Sequence, residues 1–100
     1  MDSRKLFHEI TILTPYDWEK FREEFEKHHP GFFILLHTHY PKLTPSEVRL
    51  MALMKLNFSI KMMARTLGIS PQSIVKTRYR LKKKLELKKE EELDRVLEIF

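Results

Sequence analysis

The sequence predicts an all-α protein organised as a helix-turn-helix bundle, and three observations carry that expectation. The chain of 100 residues holds only two glycines against 42% hydrophobic residues, a balance that favours packed helices over a turn-rich sheet. Hydroxyl residues stand directly ahead of proline or of an apolar-periodic stretch at Thr14, Thr44, Ser59 and Ser70, where they mark helix starts. Two helical stretches are joined by Gly68-Ile69-Ser70, the connection of a helix-turn-helix. At this length one domain with a modest core is expected, without room for a deep active-site cavity.

Taken in order, Leu6 to Leu13 alternates too imperfectly for a helix or strand assignment and is compatible with an extended segment. Thr14 caps a helix that begins at Pro15, with Asp17 early in its first turn, and Trp18, Phe21 and Phe25 recur at helical spacing as core residues. His29-Pro30-Gly31 stops that helix, and Phe32 to Tyr40 forms a second one before Pro41. These make an N-terminal pair of packed helices within residues 1–43.

Thr44, Pro45 and Glu47 then write a Thr-x-x-Glu capping box for a helix from Pro45 to about Lys55. Val48, Leu50, Met51, Ala52, Leu53, Met54 and Leu56 leave this helix almost no polar side, so it must be covered on both sides. The N-terminal helices are expected to supply one cover, which makes a single fused domain. Ser59 caps Ile60 to Leu67, which ends at Gly68, and Ser70 caps a helix that starts at Pro71 and runs to about residue 85. Ile74, Leu81 and Leu85 lie along one side of that last helix, with Thr77 or Arg78 at its edge.

Charge is distributed unevenly over these elements. Met1 to Leu43 holds six Lys/Arg against seven Asp/Glu, Thr44 to Lys89 twelve against two, and Glu90 to Phe100 one against five. Between Val48 and Leu85 stand ten basic residues and no acidic one, which projects a positive field whose commonest partner is a nucleic-acid backbone. With Ile74, Leu81 and Leu85 inward, the opposite face of the Pro71 helix carries Gln72, Ser73, Val75, Lys76, Tyr79, Arg80 and Lys83. An α-helix fits the major groove of duplex DNA, where such side chains read base edges while neighbouring cations hold phosphates.

From Leu43 to Leu87 the chain reads LTPSEVRLMALMKLNFSIKMMARTLGISPQSIVKTRYRLKKKLEL. This stretch resembles the LuxR-type DNA-binding helix-turn-helix in its LT-x-x-E opening, its Ala64 in the second helix, its LGIS turn and its basic KKL ending. The part ahead of it, DWEKFREEFEKHHPGFFILLHTHYPKLT, is similar to the segment that precedes this module in regulators that carry it behind tetratricopeptide or ligand-sensing domains. The resemblance implies a four-helix module over residues 44–100 whose third helix is the recognition helix and whose fourth commonly mediates dimer contacts. Carried onto this sequence, Val75, Lys76 and Tyr79 face bases. Ser70, Gln72 and Ser73 stand at the helix start, and Arg78, Arg80 and Lys83 point towards phosphates. Two departures are Met62 and Met63, where the family often has an acidic and an aliphatic residue, and Glu86, where a glycine usually follows the basic ending.

The acidic C-terminal zone repeats Leu93, Val96 or Leu97, and Phe100 at helical spacing among charged positions. Such a stripe is buried either against its own core or against the same stripe of a second protomer. The resemblance favours the homodimer.

Other chemistry finds little support. His28, His29, His37 and His39 cluster in sequence, but adjacent and i, i+2 spacings do not converge on a metal. No cysteine, glycine-rich phosphate loop or nucleophile-base pairing points to an enzyme or a cofactor. No apolar run approaches the roughly 20 residues that cross a bilayer, so the chain is expected to be soluble and cytoplasmic. Double-stranded DNA is the expected partner. The alternative is that the same basic helix docks on an acidic protein such as RNA polymerase, in line with a resemblance to sigma-factor region four. Anionic membrane binding is disfavoured because no large apolar face lies beside the basic one.

Overall fold

Four helices begin where a Thr or Ser hydroxyl supplies the hydrogen-bond acceptor that the first turn lacks. The computed structural model describes Phe7, residues 9–85 and residues 93–98, with side chains in the last helix described from Val96 on. Within them the elements are α1 (Pro15–His28), α2 (Phe32–His39), α3 (Pro45–Lys55), α4 (Ile60–Leu67), α5 (Pro71–Lys84) and α6 (Leu93–Glu98), with no strand among the described residues. Thr44 Oγ1 accepts from the Glu47 amide at 3.2 Å while Glu47 Oε1 accepts from the Thr44 amide at 2.8 Å, so the expected capping box is formed. A second box, not anticipated, closes α1. The Asp17 carboxylate accepts from the amides of Leu13 and Thr14 at 3.0 and 3.1 Å, and the Leu13 bond leads the effects that hold its pKa below the ordinary value. Ser59 and Ser70 accept from Met62 and Ser73 amides, both at 3.1 Å.

Left-handed residues close two of the helices. After α3, Asn57 takes φ 62°, and the amides of Asn57 and Phe58 reach back to the carbonyls of Met54 and Leu53. After α4, Gly68 takes φ 66°, with the Ile69 amide on the Ala64 carbonyl at 3.1 Å. The second helix ends one residue short of the sequence expectation, with Tyr40 as its cap.

One hydrophobic cluster draws on every described helix. Phe21 and Phe25 of α1, Phe32, Phe33 and Leu36 of α2, and Phe7 are all buried. They cover α3, in which Leu50 to Met54 are buried without interruption, as the lack of a polar side required. Trp18 stacks on Phe21 at 5.6 Å and meets Phe33 edge-on, while the Arg49 guanidinium lies 5.2 Å from the Trp18 centroid and bridges α3 to α1. Each fully buried Phe of this layer is of the kind whose truncation to Ala costs about 3–5 kcal/mol.

Residues 9–14, ahead of α1, form neither helix nor strand. The Ile12 amide donates to the Thr66 carbonyl at 2.8 Å, so this segment is fastened near the end of α4, beside the α4–α5 turn.

At the other end of the chain, α6 lies against α3. Leu97 is 2% exposed, and Lys55 Nζ donates to the Leu97 carbonyl at 2.9 Å. Leu97 thus packs on its own core, one of the two placements open to the stripe. Leu97 joins the apolar cluster to which Leu50 to Met54 of α3 belong. Val96 is half-buried, while the side chain of Leu93 and Phe100 lie outside the described residues.

Candidate nucleic-acid interface

Helix α5 has 14 residues, about 21 Å at 1.5 Å per residue, and its two sides differ sharply. Ile74 and Leu81 are fully buried and Leu85 is nearly so, which anchors the helix on the core and fixes which side faces out. Gln72, Ser73, Val75, Lys76, Tyr79, Arg80 and Lys83 are all exposed, and Thr77 and Arg78 sit half-buried at the boundary. The arrangement expected from the 3.6-residue period is therefore the observed one.

The start of the helix is held rather than free. Ser70 Oγ accepts from the Ser73 amide and lies 3.0 Å from Ser73 Oγ, and Thr77 Oγ1 donates to the Ser73 carbonyl at 2.9 Å. Ser70 thus sets the direction of the first turn through its cap, and Gln72 projects from that turn into solvent. Further on, the Lys83 ammonium lies 4.6 Å from the centroid of the exposed Tyr79 ring, so these two residues form one amphipathic unit.

The C-terminal lysines divide by role. Lys82 is half-buried and Lys83 and Lys84 are exposed, but Lys84 reaches across to the start of α3. Lys84 Nζ lies 2.7 Å from Glu47 Oε1 and donates to the Lys42 carbonyl at 3.2 Å, joining the end of α5 to the start of α3. Burial pushes the Glu47 pKa up, but the bonds from Lys84 and Thr44 outweigh it and hold the carboxyl below its ordinary value. Glu47 therefore stays ionised at neutral pH.

Sequence reasoning placed the outward face of α5 but missed two parts of this region. Lys84 counts in the sequence as one more cation of a basic run, and only its contact across 37 positions reveals its structural use. Lys61 and Arg65 were given no role, yet both are exposed one turn apart on α4, the helix packed on α5. Their i, i+4 spacing was the available signal.

The described residues contain no cluster of three or more His, Cys, Asp or Glu that could hold a metal ion, and no helix long and apolar enough to cross a membrane. The class defined by fold and surface is thus an all-α bundle that presents a cationic helix behind a helix-turn-helix connection. No family model matches the chain, and no curated protein or solved structure is significantly similar to it.

Proposed function

We propose that the protein is a sequence-specific DNA-binding transcription regulator of the cytoplasm, with α5 as the recognition helix in the major groove. The observation that carries this reading is the outward face of α5, where Lys76, Arg80 and Lys83 flank Gln72, Val75 and Tyr79 and no carboxylate intervenes. The cap at Ser70 and the Glu47–Lys84 pair hold both ends of the helix. A rigid helix of this kind presents its side chains to base edges without first losing conformational freedom. The likeness to the LuxR-type module adds the expectation that Val75, Lys76 and Tyr79 meet bases while Arg78, Arg80 and Lys83 meet phosphates.

The test is fluorescence-anisotropy binding to random and selected duplexes over a salt series. If Arg78, Arg80, Lys83 and two or three further cations neutralise phosphates, log K against log salt has a slope of roughly −4 to −6. A slope near zero refutes the proposal. The second reading is that the same helix docks on an acidic protein surface such as RNA polymerase, favoured by the exposed Val75 and Tyr79, since aromatic residues are enriched at protein interfaces. Competition between duplex DNA and an acidic polypeptide separates the two.

A further inference from the structure

Val75 is where the outward face of α5 departs from polarity. Its side chain is 52% exposed, and Tyr79, one turn further on, is 60% exposed. Valine loses rotamer freedom in a helix and is a weak helix former, so at a solvated position it costs local stability relative to Lys, Gln or Ala. The core gains nothing from it, because Ile74 and Leu81 fill the inward side. Gln72 precedes it by one turn, Lys76 adjoins it, and the Tyr79 ring is drawn under the Lys83 ammonium. The result is a small apolar point inside a cationic surround, in the half of α5 that recognition helices direct at base edges.

Major-groove chemistry restricts what such a point can meet. Nearly every group displayed there is a hydrogen-bond donor or acceptor, and the exception is carbon 5 of the pyrimidines, which bears a methyl group in thymine. Valine pressed on a purine N7 or O6, or on a cytosine amino group, strips water from a polar atom and returns no hydrogen bond. Pressed on a methyl group it buries two apolar surfaces at once and leaves nothing unsatisfied. The side chain thus favours one base by attraction and disfavours the others by unmade bonds.

We infer that Val75 is a specificity-determining residue that reads a pyrimidine 5-methyl group, so that the DNA bound by α5 carries thymine, or 5-methylcytosine, at the base pair facing it. This rests on the DNA-binding reading of α5 and names the kind of site it takes.

The experiment uses the full chain and a duplex enriched from a randomised pool. Each thymine is replaced in turn by deoxyuridine, which removes the methyl and alters no hydrogen-bonding group. At one or two positions the replacement weakens binding about fourfold, the worth of one buried methyl-sized group. At the same positions 5-methylcytosine opposite guanine binds more tightly than cytosine opposite guanine if the methyl alone is read. Equality of that pair, with the uracil loss retained, assigns the site to thymine and keeps the inference. Val75→Ala, at an exposed position where alanine favours the helix, binds the thymine and uracil duplexes equally. Uracil duplexes that bind the wild-type chain as well as thymine duplexes do, with preference over random DNA intact, overturn this inference alone. The same thymine-to-uracil ratio in Val75→Ala also overturns it. Absence of any preference for the enriched duplex over random DNA overturns both this inference and the reading beneath it.

Discussion

At the scale of single residues, Glu47 shows how one side chain serves two elements. Its carboxylate closes the α3 capping box and also receives Lys84 from the end of α5. Because its folded pKa lies below its ordinary value of 4.5, the associated stability is present above that pH and is lost as the pH falls through the folded value. Glu47→Gln is therefore expected to lower stability by about 1–2 kcal/mol at pH 7, read by urea unfolding, and to differ far less from the parent near pH 3. Lys84→Ala shares the loss at pH 7 and Lys83→Ala does not; equal effects of the two would contradict their division of roles. The candidate interface was legible at this scale because exposure on one helix follows from its period. The fate of Lys84 was not, since a partner 37 positions away leaves no trace in local pattern.

At the scale of elements, the boundaries of α3, α4 and α5 could be read because capping is local chemistry, with a hydroxyl at each start and a left-handed residue at the end of α4. Gly68→Ala is expected to cost about 1–2 kcal/mol in thermal or urea unfolding, the penalty of a left-handed L-residue. The added Cβ would also meet Leu13 Cδ2 at 2.6 Å, but Leu13 is 63% exposed and can turn aside, so the backbone conformation dominates. The direction of α6 was not legible, since a stripe of apolar residues says that one side is covered and not by what. With Leu97 packed inside, Leu97→Ala is expected to lower stability by about 2–4 kcal/mol at any protein concentration. A loss that vanished on dilution would instead return that residue to a subunit contact.

At the scale of the whole molecule, the N-terminal layer and the helix-turn-helix share one core. Phe21, Phe25, Phe32, Phe33 and Leu36 all come from residues 1–43, yet they complete the cluster that contains α3. Their joint removal exceeds the roughly 5–15 kcal/mol by which a domain of this size is stable. Residues 44–100 expressed alone are expected to lack dispersed amide resonances and to melt without cooperativity; a native-like spectrum from that fragment would show the layer to be dispensable. The apolar surround of α3 made this dependence visible in the sequence, whereas the Ile12–Thr66 bond that fastens the leading segment near the end of α4 had no local signature. The tie from Lys84 to Glu47 and Lys42, across 37 and 42 positions, bears also on the order of assembly. A capped helix forms within about a microsecond, while closing a chain loop of this size waits on the collapse that brings its ends together. During folding, α5 is thus expected to acquire its helical shape before its bearing, and the capacity to engage a partner arrives with the final docking step rather than with helix content.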